Sequence, residues 1–182
     1  MPSPQYALVA YVRSPVGEFV ESLRRELHPK HAHLPAHISL LPPRLLQDSE
    51  EAALRLIESV CREVEPFEFV LGEVASFMPV TPTVFIRVAH AAYRMRELHD
   101  HLNVGPLAAE EQWPYMPHLT IVRMDRAEEA EPVLAEARRR WEQYHGTRRV
   151  LLEQLTFVRE AGENSWVDLA PVPLGRRLAP TR

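Results

Sequence analysis

Glycine is scarce in this chain of 182 residues, with 6 in all. The two closest, Gly162 and Gly175, are 13 positions apart, so the sequence contains neither a G-x-G-x-x-G turn nor a G-x-x-x-x-G-K loop. Such glycine-rich loops hold phosphate groups on backbone N–H groups in many nucleotide-binding proteins. Any phosphate that this protein binds must therefore be held in another way.

Cysteine and long apolar runs are also lacking. Cys61 is the single cysteine, which excludes a disulfide framework and a cysteine-rich zinc site, and its helical pattern predicts a small buried side chain. No stretch approaches the roughly 20 apolar residues of a membrane span, and the first residues lack a secretory signal pattern. The net charge of -4 argues against a protein that coats nucleic acid by general electrostatics. We expect a cytoplasmic protein without membrane contact.

Histidine and proline are the residues that are present in quantity, with 9 and 17 copies. Apolar periodicity and proline punctuation predict the order strand, helix, strand, helix, strand twice along the chain. The first copy has strands at 6–12, 36–41 and from 67 to 74, with Pro42-Pro43 ending the second strand. The second copy has strands at 83–89, 117–123 and 150–158, followed by a last strand at 165–169. The sequence therefore predicts an internal duplication.

The middle strand of each copy carries the same pattern. The two strands read His37-Ile38-Ser39-Leu40 and His118-Leu119-Thr120-Ile121. Because residues i and i+2 of a strand share a face, each histidine lies beside a hydroxyl, and the apolar residues between them face a core. Two similar halves packed about a pseudo-twofold axis bring these strands together. We therefore predict a cleft lined by two imidazoles and two hydroxyls.

Chance does not readily produce this pattern. About one H-x-[ST] match is expected at random, and a third match, His145-Gly146-Thr147, is discounted because it lacks the apolar alternate residues. Requiring apolar residues at both alternate positions lowers the chance expectation to about 0.15 per chain. The alternative interpretation is a pair of exposed histidines at the edges of half-buried strands.

A pair of imidazoles suits phosphodiester chemistry. Imidazole titrates close to neutral pH, so one histidine can accept a proton while the other donates one. Cleavage of a phosphodiester needs both transfers, one from the nucleophile and one to the leaving oxygen. Hydroxyls two residues further on can donate to the non-bridging oxygens as negative charge accumulates there. This arrangement replaces the glycine cradle and needs no metal ion.

The two motif strands also resemble a known family. The stretches 35–43 and 116–123 are similar to the two signatures of the two-histidine phosphoesterases, also called the 2′-5′ RNA ligase-like superfamily. The resemblance covers residues 6–169. It implies an α+β, bilobal fold with pseudo-twofold symmetry, in which two antiparallel sheets face a central cleft and the helices lie outside. Residues 1–182 would form a single domain with halves at 6–75 and 83–170 and a C-terminal tail at 171–182.

The resemblance further implies an activity and its residues. It implies metal-independent action, without a cofactor, on 2′,3′-cyclic phosphates, 2′-5′ linkages or RNA ends, and the reverse reaction would join RNA ends. Carried over position by position, the catalytic residues are His37, His118, Ser39 and Thr120, with Ser39 in place of the commoner threonine. We provisionally take His118 as the base and His37 as the acid, an assignment that the pseudo-symmetry leaves open.

Residues around the motifs have two interpretations each. Tyr115, in the loop before the second motif, is a candidate to stack on a base, with core packing as the alternative. Arg123 resembles a phosphate-holding arginine of part of the family, although strict alternation turns it away from His118. Arg44 and Arg87 are predicted to be rim charges. The other aromatic residues with the same two interpretations as Tyr115 are Tyr11, Phe77, Phe85 and Trp113.

The remaining histidines yield weaker hypotheses. Four histidines within ten residues could form a metal site, but prolines interrupt their spacing and no nearby acidic residue completes a ligand set. That cluster consists of His28, His31, His33 and His37. The histidines on or beside the charged helix near residue 95 are predicted to be solvated, namely His90, His99 and His101.

Three functions follow from these patterns. The first is a phosphoesterase whose substrate is an RNA end or a small nucleotide phosphodiester. The second is a non-catalytic module that binds nucleotides or RNA ends in the same cleft, and the third is a metal hydrolase built on the histidine cluster. Nothing in the sequence indicates an obligate protein partner, so a monomer is expected.

Overall fold

The computed structural model describes residues 2–176, apart from the side chain of His31. The strands are β1 (Tyr6–Tyr11), β2 (His37–Arg44), β3 (Phe67–Ser76), β4 (Thr83–His90), β5 (His118–Arg123), β6 (Arg149–Leu152), β7 (Gln154–Gly162) and β8 (Ser165–Pro173). The α-helices are α1 (Pro15–Leu27), α2 (Glu50–Arg62), α3 (Ala92–Leu102) and α4 (Ala130–Glu142). Single 3₁₀ turns lie at Pro29–His31, Gly105–Leu107 and Ala127–Glu129.

The strands form one antiparallel sheet in the order β6-β3-β4-β5-β2-β1-β7-β8. The two motif strands, β2 and β5, are adjacent at its centre, as the repeat predicts. They pair at Ile38 and Leu119. The two sheets that were expected to face each other are therefore joined by this pair into one continuous sheet. The α+β class with duplicated halves is confirmed.

The third strand of each half crosses to the other half. Strand β3 pairs with β4, and β7 pairs with β1. Only Glu153 separates β6 from β7, although these strands are six steps apart in the sheet order. A flat sheet would place them about 29 Å apart, whereas two residues span about 7 Å. The sheet must therefore curl until its ends approach each other.

The helices cover the apolar side of this curled sheet. The alternate residues of the motif strands are fully buried in the core, namely Ile38, Leu40, Leu119 and Ile121. Helix α1 packs against β5, and α3 packs against β2, so each helix supports the motif strand of the other half. Burial of these apolar faces drives the packing and leaves the opposite face of the motif strands for the cleft.

Three strand predictions were wrong in their bounds. The single strand expected at 150–158 is two strands, β6 and β7, which lie at different ends of the sheet order. Strand β2 continues through Pro42-Pro43 to Arg44, because a proline is tolerated where the ladder does not need its N–H group. Strand β8 extends to Pro173 and so includes residues 171–173 of the expected tail. Residues 177–182 of that tail lie outside the described part.

The one cysteine has the expected place. Cys61 is fully buried on α2, and burial raises the pKa of its thiol to about 12. Because the thiolate is the reactive form, this side chain behaves as a small apolar group at neutral pH.

Candidate active site

The four predicted catalytic side chains share one face at the centre of the sheet. His37 and Ser39 on β2, and His118 and Thr120 on β5, are each partly exposed, whereas the residues that alternate with them are buried. Because the two strands pair at the residues directly after each histidine, the two imidazoles come from adjacent strands. The structure thus brings together the set that the sequence predicted.

Both histidines are fixed by the same backbone contact. His37 Nδ1 lies 2.8 Å from the carbonyl oxygen of Pro35, and His118 Nδ1 lies 2.7 Å from that of Met116. A carbonyl oxygen only accepts hydrogen bonds, so Nδ1 carries the proton and donates it in both rings. Nε2 is therefore the nitrogen that accepts or releases a proton in each histidine.

The two imidazoles have different neighbours. His118 lies beside two phenylalanine rings, with centroid distances of 5.0 Å to Phe77 and 5.2 Å to Phe85. His37 lies across the ladder from Tyr11, whose hydroxyl donates to Asp168 over 2.5 Å. The cleft is therefore apolar beside His118 and polar beside His37.

Burial favours the neutral form of both imidazoles. Desolvation lowers the pKa of His37 and of His118 below the ordinary value of 6.5. The positive charges of Arg24 and of protonated His118 lower the pKa of His37 further, while its bond to Pro35 opposes the shift. Each pKa shift disfavours the protonated ring, so an anion bound between the rings would stabilise their charged forms.

A buried arginine supports the second motif strand from behind. Arg24 on α1 is 4% exposed and donates to the carbonyl oxygens of Thr120 and Ile121, each over 2.7 Å, and to that of Leu34. It thereby ties the strand that carries His118 to the loop that leads into His37. Nothing in the sequence indicated that Arg24 is buried.

A buried histidine supports the first motif strand. His99 on α3 is 3% exposed, which corrects the prediction that it is solvated. Its Nδ1 donates to Leu40 O over 2.6 Å, and its Nε2 lies 2.6 Å from a carboxylate oxygen of Glu111. Tyr115 stacks on it at 4.1 Å between centroids and donates its hydroxyl to Ser39 O.

Arg44 is also buried rather than a rim charge. It is 4% exposed and donates to Leu107 O over 2.9 Å and to Asn103 Oδ1 over 2.6 Å, and it pairs with Glu111 at 3.3 Å. The sequence held no local signal for this burial, because the side-chain partners of Arg44, namely Asn103 and Glu111, lie 59 and 67 residues away along the chain. The expected rim position of Arg87 agrees with its partial exposure beside Glu73.

A cavity of about 590 Å³ opens beside Ser39 and His118. Its walls are Pro42–Arg44, the connection between β3 and β4 at Phe77, Val80 and Thr81, and residues 109–116. Trp113 is 57% exposed on this wall. Phe77 lines the cavity, whereas Phe85 is 1% exposed, lies across the ladder from Thr120 and stacks on Phe77 at 4.1 Å between centroids. Tyr115 lines the cavity too, with its ring stacked on His99.

Comparison with known proteins identifies the family. A family model described as the 2′-5′ RNA ligase superfamily matches residues 12–164. The chain belongs to the 2′-5′ RNA ligase superfamily. A protein of Halalkalibacterium halodurans, named for an assumed phosphoesterase activity, is 27% identical over 118 residues, which are 64% of this chain and 68% of that protein.

Solved structures share the fold of this superfamily member. E. coli LigT, crystallised with NADP+, has a TM-score of 0.62 and 13% identity, and the match covers 96% of this chain and 100% of LigT. A Thermus thermophilus protein has a TM-score of 0.64 and 18% identity, with the same coverage of both chains. Usb1 of Kluyveromyces marxianus has a TM-score of 0.55 and 13% identity, covering 93% of this chain and 98% of Usb1.

Arg123, expected from the resemblance to this superfamily to hold phosphate, lies far from the imidazoles. It is exposed at the end of β5, where it pairs with Thr83. Five residues along a strand place its Cα about 16 Å from that of His118. From there it reaches only a substrate that extends along the strand, so its role stays a prediction.

The histidine cluster of the metal hypothesis is dispersed where it is described. His28 is buried and lies 3.5 Å from Asp125, and His33 Nε2 lies 3.0 Å from Asn164 O. Among the residues that the structure describes, no group of three or more His, Cys, Asp or Glu side chains could hold a metal ion. The side chain of His31 is not among them.

Within residues 2–176, none of the helices is long and apolar enough to cross a membrane.

Proposed function

We propose that this protein is a metal-independent phosphoesterase that hydrolyses 2′,3′-cyclic phosphates or 2′-5′ phosphodiesters of RNA or nucleotides with His37 and His118 as acid and base. One observation carries the proposal. Both rings donate Nδ1–H to the carbonyl two residues earlier, so that each histidine uses Nε2 for proton transfer beside a hydroxyl residue. A pair held only for packing would not need the same tautomer twice.

The proposed reaction uses one proton at each ring. The basic imidazole takes a proton from water, and the water oxygen forms a bond to phosphorus. The bond from phosphorus to the ribose oxygen breaks, and the second ring, protonated at Nε2, gives its proton to that oxygen. Ser39 and Thr120 donate hydrogen bonds to the non-bridging oxygens as charge grows there. The pair ends with its protons exchanged and returns to its starting state through solvent.

The cavity beside Ser39 and His118 suits a nucleoside. Its walls combine the apolar residues Pro42 and Val80 with the aromatic rings of Phe77 and Trp113, the surfaces on which bases stack. E. coli LigT has been crystallised with 3′-AMP and with phosphate. We therefore expect the scissile phosphate between the imidazoles and the base in this cavity, with Tyr115 as part of its wall.

The acid and the base are not distinguished by the hydrogen bonds of the two rings. The provisional assignment, with His118 as base and His37 as acid, stays a prediction. The charge of Arg24 acts against it, because it disfavours protonated His37 and so lowers its pKa. Reverse ligation through a 2′-5′ linkage would use the same two groups in the opposite order. Cytoplasmic location and a monomeric state also stay predictions.

The test is hydrolysis of nucleoside 2′,3′-cyclic phosphates and 2′-5′ dinucleotides in the presence of excess chelator. We expect wild-type turnover, and a loss of about 10³-fold or more in His37→Ala and in His118→Ala, because each proton transfer is worth about 10²–10⁴ in rate. His145→Ala, in the discounted third motif, is the matched control and should keep full activity.

Two outcomes would replace the proposal. Tight binding of cyclic phosphates, 2′-5′ oligomers or RNA ends without turnover on any of them would favour the non-catalytic binding module. Turnover abolished by the chelator and restored by a divalent metal would favour the metal hydrolase instead.

A further inference from the structure

Sheet pairing alone does not fix the first motif strand, β2, at Ser39. In the pairing of β1 with β2, Leu8 lies opposite Leu41 and Val9 lies opposite Ser39, so Leu40 is an extra residue in the ladder. On its other side, β2 pairs with β5 only at Ile38. An irregularity of this kind leaves ladder groups unpaired and lets the strand bend. Something else must fix the direction of the Ser39 side chain.

His99 and Tyr115 supply that support. His99 donates to the carbonyl oxygen of Leu40, the extra residue, and Tyr115 donates to the carbonyl oxygen of Ser39 over 2.8 Å. Their rings are parallel within 2°. Because Leu40 is an extra residue in the ladder, the neighbouring carbonyl oxygens of Ser39 and Leu40 both accept from this one stack of rings, and two such bonds resist rotation of the strand about its axis. The direction of the Ser39 side chain depends on that rotation.

Glu111 anchors this pair of rings. Its carboxylate lies 2.6 Å from His99 Nε2 and also accepts from Arg44 and from Asn103 Nδ2, each over 3.3 Å. The carbonyl of Leu40 only accepts, so Nδ1 of His99 must donate to it while Nε2 faces the carboxylate. A network whose members are all partnered is rigid, and this one connects α3, β2 and the cavity wall.

We propose that His99 is a positioning residue for the reaction, which orients the Ser39 hydroxyl toward the phosphate through Leu40 and Tyr115. The proposal rests on the proposed function for its kinetic part. His99 itself does not touch the substrate. Its effect passes through one hydroxyl, and it leaves Thr120 on the neighbouring strand unaffected.

The experiment is a pair of double-mutant cycles. His99→Phe keeps a ring against Tyr115 and removes both hydrogen bonds, and we expect kcat to fall about 10-fold, within the 10²-fold that a misplaced group can cost. In a Ser39→Ala background the same change should have no further effect on kcat, whereas in a Thr120→Ala background it should keep its full effect. A purely structural role would lower kcat equally in both backgrounds.

Two further variants keep the test interpretable. His99→Gln retains an amide that can donate to one acceptor and should recover part of the loss. His101→Phe changes an exposed histidine two residues along α3 and should leave kcat unchanged. Equal effects of His99→Phe in the two backgrounds, or kcat unchanged by both His99 variants, would overturn the proposal.

A second readout does not depend on turnover. Hydrogen exchange of the β2 amides should be faster in His99→Phe than in wild type, and unchanged in His101→Phe. If wild type hydrolyses no phosphodiester while this exchange difference is present, the proposed function fails and the positioning of β2 by His99 stands. If exchange in β2 is the same in all three proteins, the positioning role itself is wrong.

Discussion

The two motif strands are supported at the same place by different chemistry. Leu40 on β2 and Ile121 on β5 are extra residues in their ladders, and each carbonyl is held by a side chain from the helix of the other half. On β2 that side chain is His99, paired with a carboxylate; on β5 it is Arg24, bonded to three carbonyls. The two halves thus share the contact to the extra residue's carbonyl, but one half makes it with a histidine and the other with an arginine.

This difference makes the cleft electrically asymmetric. The guanidinium of Arg24 bonds to neutral carbonyls and interacts with the carboxylate of Glu21, and its charge lowers the pKa of His37; on the other side the carboxylate of Glu111 lies against His99. The two flanks differ too, since phenylalanine rings surround His118 and Tyr11 lies beside His37. The two histidines thus share the same hydrogen bond but differ in the charges and rings that surround them.

The largest expected effect separates the two histidines. Removal of either ring should cost about 10³-fold on a nucleoside cyclic phosphate, but an aryl phosphodiester has a leaving group that departs without a proton. On that substrate the variant that lacks the acid should regain activity, and the variant that lacks the base should not. Steady-state kinetics of His37→Ala and His118→Ala on both substrates measure this. Recovery of both variants, or of neither, would contradict distinct roles.

A smaller effect distinguishes the two flanks of the cleft. Trp113→Ala should raise KM for a nucleoside cyclic phosphate about 10-fold, within the range of one lost stacking contact, with kcat nearly unchanged. Tyr93→Ala removes an aromatic side chain that is 67% exposed on α3 and serves as the control. A Trp113→Ala variant with wild-type KM would place the base elsewhere, with the polar flank at Tyr11 as the next site to test.

The smallest expected effect is a shift in pH dependence. Catalysis needs one neutral and one protonated imidazole, and both pKa values lie below 6.5, so kcat/KM should reach its maximum below pH 6.5 and fall as the pH rises. Arg24→Met removes a charge that lowers the pKa of His37, so the maximum should move to higher pH. Arg24→Lys retains the charge and should keep the wild-type profile. An unchanged profile in Arg24→Met would show that this charge is screened.

The sequence predicted those features that follow from local periodicity. The alternation at 37–40 and 118–121 placed His37, Ser39, His118 and Thr120 on one face, because strand geometry depends only on neighbouring residues. The structure shows the same arrangement, and the family match identifies the scaffold. The duplication also predicted that these strands would lie side by side.

What sequence reasoning missed depends on long-range contacts. His99 was expected to be solvated because its helix is charged, and Arg44 was expected at the rim as an arginine, a residue type that is mostly exposed; only the folded chain shows the acceptors that make their burial favourable. The division of 150–158 into β6 and β7 was missed for a similar reason. Glu153 and Gln154 are the polar interruption between two apolar stretches, but two polar residues do not by themselves show that the chain changes its neighbours there.

The link at Glu153 has a consequence for how this scaffold can move and evolve. Because β3 and β7 are exchanged between the halves and one residue joins β6, at one end of the sheet, to β7, the second strand from the other end, neither repeat alone contains a complete set of paired strands. A solitary copy would expose unpaired edges, which natural proteins avoid. The two imidazoles thus lie on adjacent strands of one continuous sheet rather than on two separate lobes, and the fold sets their separation before any substrate binds.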